Sequence, residues 1–430
     1  MARFGTEKAA AAQGRRHASR YRVLLTHGTF YTAGLQLANI TSVLPFICAT
    51  QGIYWAAGLL YPAYKIGTIL GDAVSPSILN FSRDRKHLVL AATASAMSAT
   101  IVCNAVAAQT GALIASMFLT TSLVAGVVTG ISKVAFSEVV SSTLSELRRG
   151  DVVLNQGAFG SILAITITLL LLAATRRGDA LTGDVDLLWL GAAGLAVAGM
   201  VVVFVGPVQS APQAAARRIR DTYHEGLAVA RADRWFRRYA VTSLLFVPIS
   251  LGTTFYSLHA SAQLGHKAGS LHVLIVFASI GLVLGSFLWR RVYRTRFGVR
   301  GMLILSALIG TAAAVICIAT EVVDASSQVW MHGIVFLLAT MANQAILAAG
   351  ISWVNTYAAE HQRATLFGFA AVLVAVESSL LGAGLGAIAQ MSSVLWPVAI
   401  LLVLNLVAAV AALRAPTRRT AESVRGRTLQ

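Results

Sequence analysis

Apolar stretches of about twenty residues recur twelve times along this 430-residue chain. Their approximate bounds are 22–48, 52–80, 87–107, 111–145, 153–175, 186–206, 238–258, 271–292, 301–320, 329–355, 364–390 and 394–413. A helix needs about 20 such residues to cross ~30 Å of hydrocarbon. The chain is 57% hydrophobic and only 12% charged, where soluble domains carry about a quarter charged residues. A water-soluble core of this length could not hide so much apolar surface, so lipid must be the solvent for much of it. The expected fold class is an all-α polytopic membrane protein with twelve transmembrane helices. The fourth and tenth stretches are long and are expected to protrude into the cytoplasm. Cys48, Cys103 and Cys317 all lie in apolar runs and read as small core residues, with neither a disulfide framework nor zinc spacing.

The chain also repeats itself. Gly67 and Gly71 close an apolar stretch that runs into a basic loop. The spacing returns at Gly281 and Gly285, which run into Arg290, Arg291, Arg294, Arg296 and Arg300. Gly130-Ile131-Ser132 likewise recurs as Gly350-Ile351-Ser352. Duplication of this kind implies two pseudo-symmetric six-helix bundles, with a substrate path between them. The expected organisation is a cytoplasmic N-terminal tail (1–21), an N-terminal bundle (22–206), a linker (207–237), a C-terminal bundle (238–413) and a basic tail (414–430). Mixed charge with Leu227, Val229, Trp235 and Phe236 gives the linker the pattern of an amphipathic helix on the inner surface.

A net charge of +17 invites a nucleic-acid reading, and its placement argues against one. With both ends inside, all but five of the 34 lysines and arginines fall on the cytoplasmic side. Arg176, Arg177 and Lys267 fall outside, and Lys65 and Lys133 fall within spans. This is the positive-inside bias. It predicts a multi-pass protein of a bacterial cytoplasmic membrane, its tail facing anionic lipid headgroups, with no nucleic-acid partner.

Twelve spans in duplicated halves resemble the major facilitator superfamily. Its signature after the second span is Gly-x-x-x-Asp-Arg-x-Gly-Arg-Arg-like. Here the register runs Gly67, Gly71, Asn80, then Arg83-Asp84-Arg85-Lys86, and the copy runs Gly281, Gly285, then Arg294, Arg296 and Arg300. The fourth span resembles the family's Arg-x-x-x-Gly-x-x-x-Gly helix through Gly126 and Gly130, and the stretch from Val134 to Gly160 is similar to the fourth-to-fifth junction of its exporter-like members. Three positions depart from the pattern. The acidic residue of the loop signature is Asn80, the fourth-span arginine is Ser122, and the fifth span lacks the Gly-Pro-Gly-Gly kink of proton-driven drug antiporters. The resemblance thus speaks for the fold more firmly than for proton antiport.

No soluble-type catalytic constellation is present in the sequence: there is no GxSxG elbow, no HExxH and no phosphate loop. The chain is read as a non-enzyme without cofactor or metal; His259, His266 and His272 share no helix face. Charges inside spans are the sharper signal, because each costs at least ~2.5–3.5 kcal/mol at mid-membrane. Lys65, Asp72, Lys133, Glu138 and Glu377 are therefore the candidates for transport or coupling. Asp72 and Lys133 are expected to form a local structural pair. Lys65 and Glu377, at similar depth, are expected to meet between the halves. Gln36, Asn39, Ser122, Tyr256, Asn343 and Gln344 fall in the spans that line the cavity in the resembling family, although polar side chains also glue helices together.

These residues predict a monomeric secondary transporter moving a small molecule, with protons as a candidate coupling ion. Export of a small amphipathic compound is the first expectation and nutrient uptake the second. A membrane receptor without transport and a lipid-directed membrane enzyme are the alternatives from other classes. An enzyme should place an acid, base or nucleophile cluster at one membrane face, and a receptor should append an output domain.

Overall fold

The computed structural model describes residues 2–111, 113–144, 146–174, 180–207, 227–229, 231–265, 267–323, 327–358 and 362–417. The described residues are helical throughout, without strands. The helices of the first half are α1 (Ala2–Leu37), α2 (Val43–Thr50), α3 (Tyr54–Ser82), α4 (Lys86–Thr110), α5 (Ile114–Thr143), α6 (Glu146–Ala174) and α7 (Ala180–Val202). The second half has α8 (Arg234–Leu245), α9 (Val247–Leu264), α10 (Ser270–Tyr293), α11 (Gly298–Val322), α12 (Val329–Tyr357), α13 (Arg363–Met391) and α14 (Leu395–Ala412).

Among the described residues, ten of the expected spans are long and apolar enough to cross a membrane, α8 and α9 together forming one of them. The other two are less uniform. The first span is broken between α1 and α2, where the Asn39 carboxamide oxygen accepts bonds from the Thr41 N–H (2.8 Å) and hydroxyl (2.7 Å). An Asn that bonds the backbone two residues on offers the chain a turn instead of a helix. The second span, α3, is diluted by Pro62, Pro76, Lys65 and Asp72. Elsewhere the breaks follow backbone chemistry. Gly111 (φ 69°) ends α4 in the left-handed conformation that glycine adopts at no steric cost.

Successive spans alternate in direction. The turns at 83–85 and 294–297 and the end of α14 therefore lie on one side of the bundle, here the tail side. The turns at 51–53, 267–269 and 392–394 lie on the far side. The amphipathic linker lies largely outside the described residues. Its Trp235 and Phe236 belong to the C-terminal half: α8 already starts at Arg234, Phe236 is fully buried, and Trp235 stacks on Tyr357 at 5.6 Å.

The duplicated glycines explain themselves in three dimensions. Gly67 and Gly71 of α3 pack against Gly126 and Gly130 of α5, where a Cβ on Gly67, Gly71 or Gly126 would overlap the facing backbone. Small residues four apart let two helices approach closely, the usual route to tight packing where lipid supplies no hydrophobic drive. The copy holds the corresponding pair in the second half: Gly281 of α10 sits on the Leu337 carbonyl of α12, and Gly285 on the Gln344 side chain.

Buried apolar side chains fall into three clusters. One occupies the far side and joins the halves, with Leu44, Phe46 and Leu60 packed in the same core as Leu258, Leu271 and Val398. The other two occupy the tail side and stay within one half each. Leu24, Leu79 and Leu90 belong to the N-terminal half, and Phe236, Met302 and Trp353 to the C-terminal half.

Candidate functional site: the cleft between the halves

The far side is sealed by specific contacts. On the α9 face toward α2, the Ser257 and Ser261 hydroxyls donate to the carbonyls of Ser42 and Phe46, the second at 2.9 Å. Gln390, on the last turn of α13, accepts from the Tyr54 N–H at 3.0 Å and so satisfies an orphan donor at the start of α3. One turn deeper, Gly58 of α3 packs on Gly382 and Gly386 of α13. Deeper still, Gln36 crosses the boundary. Its amide nitrogen donates to the Ser161 hydroxyl of α6 (3.0 Å), and its amide oxygen accepts from the Ser279 hydroxyl of α10 (2.6 Å). All three side chains are buried.

Toward the tail side the halves part. Below the Gly58–Gly382 crossing, a lateral apolar groove of about 340 Å³ lies between α3 and α13, lined by the exposed side chains of Ile66, Leu70, Val376 and Leu380. The wall that α3 gives the cleft follows from its periodicity. Gly67 and Gly71 mark the seam with α5, and the exposed row Ile66, Leu70 and Val74 marks the lipid face. At 100° per residue, Tyr61, Lys65, Thr68 and Asp72 form a third stripe, turned away from both. On it, the Lys65 ammonium stands 5.2 Å from the centre of the Tyr61 ring. The Asp72 carboxylate lies 3.8 Å from the Lys133 ammonium of α5, so the expected local pair is present.

Lys65 and Glu377 form no ion pair in this conformation. Gly58, which packs on α13, lies seven residues before Lys65 on the same face of α3, yet the Lys65 ammonium comes within 4.0 Å of no carboxylate among the described residues. Equal residue counts from the helix ends give equal depth but do not fix the direction in which each side chain extends. One carboxylate oxygen of Glu377 is buried with no hydrogen-bond partner among the described residues.

Several other candidates hold the halves together internally. Glu138 meets Lys86 of the first motif loop in a short charge-assisted bond, with the Lys86 side chain only 4% exposed. Asn343 accepts from the Ser250 hydroxyl (3.2 Å), and Gln344 donates to the Ser286 hydroxyl (2.9 Å). Tyr256 is buried and donates to the Gly310 carbonyl at 3.3 Å, so in this conformation it packs between α9 and α11 instead of lining open space. Ser122 is fully buried inside the N-terminal bundle. Asn39 builds the α1–α2 break. Of the motif-loop residues, Arg300 donates to the Ala415 carbonyl (2.7 Å) and ties the end of α14 to the start of α11. Asn80, Arg85, Arg294 and Arg296 are exposed on the tail side.

Sequence reading missed a buried polar cluster near the far side of the C-terminal half. His259 faces Cys317 Sγ through Nδ1 (3.3 Å) and Glu321 Oε1 through Nε2 (3.5 Å), and His332 packs on its ring at 5.5 Å. The donors meet opposite edges of one imidazole and do not converge on a point, and no metal-holding group of three such residues occurs among the described residues. His332 lies over seventy residues from His259 in sequence, so no local spacing announced the cluster. The serines of the seam, hidden among many serines, gave no signal either.

The comparisons agree with this geometry. No protein-family model matches the chain. It is 50% identical over 397 residues to the uncharacterized protein Rv2209 of Mycobacterium tuberculosis H37Rv, covering 92% of this chain and 77% of that one. The uncharacterized protein Mb2232 of Mycobacterium bovis matches equally. Among solved structures, the nucleoside transporter NupG superposes with a TM-score of 0.68 at 13% identity, covering 91% of this chain and 98% of that one. The inward-open xylose transporter XylE of E. coli superposes with a TM-score of 0.66 at 12% identity, covering 95% and 99%. A bacterial homologue of the human lysosomal transporter Spinster, inward-facing, gives 0.61 at 13% identity, covering 94% and 98%. The fold is the one these three transporters share.

Proposed function

The chain belongs to the family of the mycobacterial protein Rv2209, and from its fold we propose that it is a secondary transporter that moves a small molecule by alternating access. One observation carries this reading: the halves share a single buried core on the far side and keep separate cores on the tail side. A molecule so built is closed at one end and divided at the other. Rocking the halves about the cleft exchanges which end is closed. The Gln36 link and the Ser257 and Ser261 bonds cross between halves on the closed side, where such a motion would break them. The tail side is read as cytoplasmic from the charge bias, which makes this conformation inward-facing. Export of a small amphipathic compound is the proposed direction, supported by the exporter-like stretch from Val134 to Gly160. Protons are the proposed coupling ion, with Glu377 the first carboxylate to examine, since Asp72 and Glu138 are engaged by lysines.

The test is transport by the full chain in proteoliposomes across a compound panel, with and without an imposed pH gradient. Cysteines in place of Ser42 and Ser257, joined by a thiol cross-linker, should abolish transport until the linker is cut. Undiminished transport with the halves joined would reject alternating access. Transport indifferent to the pH gradient would reject proton coupling.

A further inference from the structure

We propose that Lys65 is an anion subsite of the cleft, so that the transported molecule carries a carboxylate or phosphate group beside an apolar or aromatic body. The inference rests on the transport reading and names its substrate class. A lysine inside a span usually meets a carboxylate or lines a hydrated cavity. Lys65 sits on the α3 stripe that faces neither lipid nor the α5 seam, and no carboxylate lies within 4.0 Å of its ammonium among the described residues. Its close neighbour is the face of Tyr61, a weak and non-neutralising partner. The other charges near this wall do not cancel it. Asp72, about two turns toward the tail side, stands 3.8 Å from the Lys133 ammonium and acts on Lys65 only at longer range, and Glu377 makes no ion pair with Lys65. Glu138, the carboxylate of α5, is taken by Lys86 of α4, so neither carboxylate of the α3–α5 wall is paired with Lys65. A half-buried ammonium beside an aromatic ring, on a helix face turned from the exposed row Ile66, Leu70 and Val74, is suited to a negative group attached to an apolar body.

The experiment measures binding of phenylacetate and phenyl phosphate to the purified full chain in nanodiscs of zwitterionic lipid, with phenethylamine and phenethyl alcohol as controls. The anions should bind and raise the melting temperature, and the controls should not. Lys65→Gln should weaken anion binding about tenfold to a hundredfold, the worth of one hydrogen bond to a charged group, and Lys65→Arg should retain most of it. Nanodiscs containing phosphatidylglycerol separate two sources of the same chemistry. Competition by this lipid assigns the subsite to a lipid phosphate, and its absence to a soluble anion; either supports an anion site. Equal binding of anionic and neutral probes, or unchanged binding in a folded Lys65→Gln variant, overturns the proposal. Anion binding lost at Lys65 in a protein that moves nothing would instead leave the subsite standing and sink transport.

Discussion

Buried polar side chains in this protein divide into those that tie one half together and those that tie the two halves to each other, and the two kinds should respond differently to substitution. Lys86 and Glu138 belong to the first kind. Removing one partner of a buried pair strands the other charge and costs about 3–5 kcal/mol, whereas replacing both with apolar groups is often neutral. Lys86→Met should therefore lower the melting temperature of the detergent-solubilised chain by several degrees, and Lys86→Met combined with Glu138→Leu should recover most of the loss. A double variant as unstable as the single one would show that the pair is not the source. Gln36 is of the second kind. Interhelical side-chain bonds in membranes are worth about 0.6 kcal/mol each, so Gln36→Leu should leave stability nearly intact. It should instead open the far side more often, by about threefold for loss of the one bond, to Ser279, that crosses between the halves, read as faster labelling of a cysteine placed at Ser257. The sequence marked Gln36 as a cleft residue because polar groups are scarce in that span. It could not mark Ser161 or Ser279, because a hydroxyl in a membrane helix usually bonds its own preceding turn, as Thr168 does to Ala164.

At the level of helices, glycine does two jobs with one geometry. The α3–α5 seam lies inside one half, and a Cβ on Gly126 would overlap the Tyr64 carbonyl. Gly126→Val should prevent folding, seen as loss of the monodisperse peak in size-exclusion chromatography. The Gly58–Gly382 crossing lies between halves, so there a side chain can be relieved by moving the halves apart. Gly382→Val should give a folded protein biased toward an open far side and a closed tail side. A Gly382→Val protein with unchanged far-side labelling would contradict the assignment of that crossing as a gate. The sequence made the glycine spacing and its repetition legible, and with them the seam and its copy. It did not show which glycines face the other half, because that depends on where two helices cross rather than on the pattern along either. The same limit left open whether the Lys65 and Glu377 side chains meet, and they form no ion pair. The α1–α2 break was likewise out of reach, since Asn39 inside an apolar run reads equally as a cavity residue.

For the whole molecule, charge placement and core placement make one joint statement. If the tail side is cytoplasmic, cysteines at Gln51 and Ser392, both exposed at far-side turns, should react with a membrane-impermeant maleimide added outside intact cells. A cysteine at Arg296 should react only after permeabilisation. The reverse pattern would invert the orientation while leaving the fold untouched. Core placement also bears on how the protein is made. The N-terminal half leaves the ribosome first, and its tail-side core can close within that half alone. Its far-side surface, with Leu44, Phe46 and Leu60, has no partner until α9 and α10 have been synthesised. During that interval the surface must be covered by lipid or by the insertion machinery, so biogenesis proceeds as two insertions followed by a docking step. Two separately translated halves, cut within 208–226, should find each other in the membrane through that surface and co-purify.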